Sequence, residues 1–205
     1  MLEALGYWFN DLAPNAYPRP QRLVGAWDPG LRSKAIAYLR AGEVLETYRG
    51  KSFCRFACKV QDMGHRDYTD GRFAWPEGLA HYVEAHDVQL PEAFVAHVFS
   101  GAARTEPKGR RIDDEPWLAW ATKRGATIEL REWDGLSWAD QRKVLERLHA
   151  LLPAEHVLYE KQLEVLLGRR ASDELIVALP DGSLARVRLT DGATTQFASW
   201  DDWPR

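Results

Sequence analysis

Cysteine is scarce in this chain, with only Cys54 and Cys58 in 205 residues. So few thiols exclude a disulfide-built scaffold, and a chain of this length can bury a core without one. No run of 18 apolar residues occurs, so no helix is expected to span a membrane. The opening stretch MLEALGYWFNDL is too short and too polar for a secretory signal. These absences together predict a soluble protein of a reducing cytoplasm with no membrane partner.

A surplus of one charge is missing too. The net charge is −3, and residues 1–100 carry 11 basic and 12 acidic side chains against 16 and 18 in the remainder. A surface that tracks nucleic-acid phosphates needs clustered positive charge, so no nucleic-acid partner is expected. The single basic cluster, Arg104 to Arg111, does not change that expectation. Catalytic signatures are missing as well. Gly50-Lys51-Ser52 resembles the end of a phosphate-binding loop, but the glycine required five positions earlier is Leu45. GxGxxG, HExxH and GxSxG do not occur. No catalytic residue and no cofactor is therefore assigned.

What the chain does have is tryptophan, nine in all. An indole buries a large area but carries an N–H that wants a partner, so a high count points to core fillers with some rings left at surfaces or clefts.

The punctuation of the sequence predicts an α+β protein of two subdomains, each a small, mainly antiparallel sheet packed with helices. Residues 1–101 form the first, 102–114 a polar linker, and 115–205 the second. A short helix and a wrapped loop are expected over 1–27. Asp28-Pro29 starts a helix, with Asp as cap and Pro at the first helical position, and Gly42 ends it. Strands follow at 44–48, 52–60 and 65–69, and the Asp70-Gly71 turn leads to another through Phe73. Pro76 and Pro91 each open a helix, the second stopping at Gly101. After the linker come a helix over 115–124, a strand over 126–133, a Ser137-capped helix and a helix from Pro153 to Gly168. A hairpin about Pro180-Asp181-Gly182 and a short strand precede the tail.

Residues 52–99 hold both cysteines and four of the six histidines. Cys54 and Cys58 invite a zinc site completed by His65 and by His81 or His86. A strand over 52–60 opposes it: four residues then span about 13 Å, too far for two sulfurs to share a zinc or to form a disulfide. Only a tight bend there would rescue the site, so the expectation is two buried thiols on a core face and no metal. His65 and Asp67 share a strand face and could do acid/base work, but no nucleophile accompanies them. Asp70 is explained by its turn, and Glu77 and His81 lie at i, i+4 on one helix.

The run Ser52-x-Cys54-Arg55-Phe56, then Thr69-Asp70-Gly71-x-Phe73-x-Trp75-Pro76-Glu77-Gly78-Leu79-Ala80-His81-Tyr82-Val83-Glu84-x-His86-x-Val88-x-Leu90-Pro91, resembles a segment of uncharacterised bacterial proteins. That resemblance covers about residues 50–95 and implies no activity. The second half, with its LPDG hairpin and SWDDW ending, is similar in style to bacterial immunity proteins that neutralise toxins.

The expected function is accordingly non-catalytic protein binding, most plausibly antagonism of a cognate toxin. Trp200, Asp201, Asp202 and Trp203 are the candidate partner surface, rings for area and carboxylates for charge complementarity. The same four residues could equally form a capped turn that docks its indoles on the protein's own core. The alternative function is a metal-dependent or acid/base enzyme built on Cys54, Cys58, His65, Asp67 and His81.

Overall fold

The computed structural model describes residues 1–203 except 12, 57, 102, 107, 108, 131 and 170. The fold is α+β, as the punctuation predicts, and divides into two compact units. The first comprises residues 1–9 and 17–127, the second 10–16 and 128–205.

The boundary therefore falls after Thr127 and not at 102–114, of which residues 102, 107 and 108 lie outside the described residues. The physical reason is Trp117. It is 1% exposed within the core of the first unit, and its Nε1–H donates to the Tyr7 carbonyl at 3.0 Å.

The first unit is built on a five-stranded mixed sheet with strand order β2-β3-β4-β1-β5. Strand β1 (Leu2–Ala4) stands where a short helix was expected and is parallel to both its neighbours. A 3-10 turn at Pro20–Leu23 follows. Helix α1 (Pro29–Arg40) starts as predicted, the Asp28 carboxylate accepting the Leu31 N–H at 2.9 Å. Gly42 lies just beyond its end for a reason of space: a Cβ there would stand 2.6 Å from the Tyr68 Cβ.

Strands β2 (Glu43–Thr47), β3 (Arg66–Thr69) and β4 (Phe73–Pro76) run antiparallel in sequence. Helices α2 (Leu79–His86) and α3 (Glu92–Ser100), the short β5 (Ile112–Asp113) and α4 (Glu115–Lys123) complete the unit. Two indoles of this unit are tied to the backbone, Trp75 Nε1 donating to the Leu39 carbonyl and Trp27 Nε1 to that of Val88, while the buried Trp8 Nε1 has no partner among the described residues.

The second unit is an antiparallel meander, β6 (Glu164–Arg169), β7 (Glu174–Ala178), β8 (Leu184–Arg188) and β9 (Thr194–Phe197). Helix α5 (Trp138–Leu151) packs Leu148 against Val165, Val177 and Val187. Its start is the predicted cap, Ser137 Oγ accepting the Asp140 N–H.

Two expectations fail here. The described residues of 126–133 form no strand, and the predicted helix from Pro153 is a set of turns leading into β6. Val165, Leu166 and Leu167 are all buried, and a short apolar run buried on both faces has no period to separate strand from helix.

Candidate metal centre

The expected strand over 52–60 is absent from its described residues: Arg55 and Phe56 form a turn, and the surrounding backbone is irregular. The connection from β2 to β3 is closed at its base instead. Tyr48 N–H donates to the His65 carbonyl at 2.7 Å, Ser52 N–H to Gly64 and Met63 N–H to Ser52, each at 3.0 Å. The far limb of this loop lies against the start of α2. A Cβ on Gly78 would stand 2.8 Å from the Met63 carbonyl oxygen, so only glycine permits the approach.

The turn brings Cys54 and Cys58 to the histidines of α2. Cys54 Sγ lies 3.3 Å from His86 Nε2, Cys58 Sγ 3.4 Å from His81 Nε2, and the two Nε2 atoms 3.2 Å apart. All four atoms fall within 4.8 Å of one another. Zinc bonds of ~2.3 Å to sulfur and ~2.0–2.1 Å to nitrogen, set tetrahedrally, demand edges of about 3.3 Å between nitrogens and about 3.5 Å from nitrogen to sulfur. The Cys54–His86, Cys58–His81 and His81–His86 spacings match those edges, and the remaining ones lie within 4.8 Å. The expectation of no metal site at these cysteines rested on a strand over 52–60, and the turn at Arg55 and Phe56 removes that ground.

The surroundings suit ligation. The Phe56 ring stacks on the His86 imidazole at 4.1 Å, with 2° between the planes, and fixes its orientation. Burial lowers the affinity of His81 for a proton, and burial together with the neighbouring His81 does the same for His86. Both rings are thus held toward the neutral form that binds metal. Burial pushes the Cys54 thiol up, a penalty that coordination to a cation would reverse. Behind the site, Arg55 N–H donates to the Tyr82 hydroxyl at 3.0 Å, and the Tyr82 ring packs 5.0 Å from Trp8.

His65 and Asp67 are not part of this quartet. The His65 backbone N–H donates to Glu77 Oε2 at 3.0 Å, and Glu77 Oε1 accepts from Tyr68 OH. Asp67 is buried in β3, where Oδ2 accepts the hydroxyls of Tyr7 at 2.8 Å and Tyr48 at 2.9 Å. Asp70 does more than shape its turn. Oδ1 takes the N–H groups of Arg72 and Phe73, while Oδ2 meets Tyr38 OH and His97 Nε2.

The tail departs from a partner surface in a specific way. Trp200 and Trp203 are 3% and 6% exposed, Trp203 packing against Trp200, Phe197 and Trp133, so neither ring is offered to a partner. Asp201 and Asp202 are exposed, and Asp202 Oδ2 accepts the Ser199 N–H in a capping box. The aromatic that does face outward is Trp138, 89% exposed at the start of α5. With Leu145, Leu163, Val165, Leu179 and Pro180 it lines a groove of about 770 Å³. Its sequence signal is its place just after the Ser137 cap, where a first-turn side chain can remain off the core face.

Among the described residues no helix is long and apolar enough to cross a membrane. No protein family, curated protein or solved structure matches the chain.

Proposed function

We propose that the chain is a zinc-holding, non-catalytic binding protein whose first unit is fastened by one ion on Cys54, Cys58, His81 and His86. The observation that carries this reading is the convergence of two sulfurs and two imidazole nitrogens at tetrahedral spacing. Two neutral nitrogens and two thiolates are the donor set zinc favours, and the charges of ion and thiolates cancel. Four protein ligands fill a tetrahedral zinc and leave no position for water or substrate, which favours a structural ion over a catalytic one. The metal-dependent enzyme reading loses its support on the same ground. Elemental analysis of purified protein tests this: one zinc per chain is expected, with loss of the ion in Cys58→Ala. Metal-free protein of unchanged stability would end the proposal.

The partner, in this reading, is another protein, with toxin antagonism the form the sequence style suggests. Trp138 beside a groove of mixed lining, with Gln141, Gln162 and Glu164 among its apolar side chains, is the feature that favours it, an exposed aromatic being the residue type that dominates interface energies. Co-expression with the product of the adjacent gene tests this part. Rescue of growth that Trp138→Ala abolishes is expected, and a harmless neighbour that does not co-purify would refute it.

A further inference from the structure

Resting on the zinc reading, we propose that the site is a redox-controlled clasp: peroxide converts Cys54 and Cys58 to a disulfide, expels the zinc and frees the loop from α2. The two thiols are the only ones in the chain, so an intramolecular bridge has no competitor within it. Their sulfurs stand within 4.8 Å of each other, three residues separate them in sequence, and of these Arg55 and Phe56 form a turn. Closing that gap to a bond of ~2.05 Å asks for movement of irregular backbone and not of a helix or strand.

The two sulfurs differ in a way that assigns their roles. Cys54 is 4% exposed, whereas Cys58 is only partly buried. Zinc keeps both as thiolates, the reactive form. The Cys58 thiolate attacks one oxygen of hydrogen peroxide. An S–O bond forms, the O–O bond breaks, and hydroxide leaves with the electron pair. The Cys54 thiolate then attacks the Cys58 sulfenic sulfur, the S–S bond forms, and a second hydroxide leaves. Two thiolates have lost two electrons to one peroxide. Zinc, left with two neutral imidazoles, departs as the divalent ion.

What the ion holds follows from the geometry. The loop meets α2 through the metal ligands, the stacking of Phe56 on His86 and the Arg55–Tyr82 hydrogen bond. The histidines stay on their helix, so oxidation divides the ligand set between a rigid element and an irregular one.

The experiment starts from full-length protein whose zinc content has been measured, so that failure of the zinc reading is seen first and separately. Hydrogen peroxide is added in small excess, released zinc is followed with a chromogenic chelator, and thiols are counted after denaturation. One zinc released for each pair of thiols lost is expected, with a mass decrease of two hydrogens and recovery on adding dithiothreitol and zinc. A Cys58→His variant retains four donors and should keep its zinc under the same peroxide. Retention of zinc by the unmodified protein, sulfinic acid in place of the disulfide, or release from Cys58→His at the unmodified rate would each overturn the proposal.

Discussion

Cys58 Sγ stands 3.4 Å from His81 Nε2 although 22 residues of loop, two strands and a turn separate them in the chain. Backbone hydrogen bonds at the base of the loop and the stacking of Phe56 on His86 hold that contact, and in the zinc reading the ion adds to them.

Removing the ion should therefore loosen the first unit. At a zinc concentration a thousandfold above its dissociation constant, binding adds about 4 kcal/mol to stability. Chelation is expected to lower the melting temperature of the first transition by more than about 10 °C. Calorimetry with and without chelator checks this, and Cys54→Ser should melt like the chelated protein.

The ligand set has a negative control in its own neighbourhood. His65→Ala should retain full zinc, since its hydrogen bonds to Glu77 and Tyr48 are made by its backbone N–H and carbonyl. Asp67→Ala should also retain zinc yet lose about 1–3 kcal/mol, because it removes the partner of the Tyr7 hydroxyl, while the half-exposed Tyr48 can turn to water. Zinc content and urea midpoints measured side by side separate the two roles.

Tyrosine chemistry sets the alkaline limit. Burial, then the hydrogen bond to Asp70, pushes Tyr38 up to about 12, and burial with the hydrogen bond to Asp67 does the same for Tyr48. The folded state thus holds these protons more tightly than the unfolded chain, where an ordinary tyrosine releases them near 10. The stabilisation is complete below about pH 10 and is lost as pH rises toward about 12. Urea midpoints should fall across that interval, and a Tyr38→Phe/Tyr48→Phe variant should show a shallower fall.

Two tryptophans of the second unit should behave in opposite ways. Trp138→Ala is expected to leave stability within about 0.5 kcal/mol and to weaken partner binding at least tenfold. Trp200→Ala should cost about 3–5 kcal/mol, because its indole is 3% exposed within the protein's own core. Thermal melts decide the second outcome, and titration against the partner decides the first.

The fold was legible wherever local chemistry is specific. Asp28-Pro29, Ser137 with Asp140, Pro91 to Gly101 and the hairpin about Asp181-Gly182 form as their turn and cap residues dictate. Elements decided by long-range pairing were not. Leu2–Ala4 is a strand because β4 and β5 flank it, and nothing within those residues says so.

The metal site is a subtler case. Cys-x3-Cys followed by His-x4-His is a zinc-ligand spacing, and it was present in the sequence. The alternation of Cys54, Phe56, Cys58 and Val60 outweighed it by suggesting a strand. Phe56 in fact stacks on His86, so the alternation reflects the packing of a turn about its site and not a pleat. The exposure of Trp138, by contrast, goes with its place in the first turn after the Ser137 cap.

The placement of β1 sets an order of assembly. Glu3 pairs with Phe73 and Leu2 with Ile112, so this strand is synthesised long before either neighbour exists. The segment from β2 through α2 contains its own antiparallel pairs and all four metal ligands, and it can organise on the ribosome while Leu2–Ala4 is still unpaired. The pairing of β1 with β4 and β5 is thus non-local, the class of contact whose loop-closure entropy slows folding.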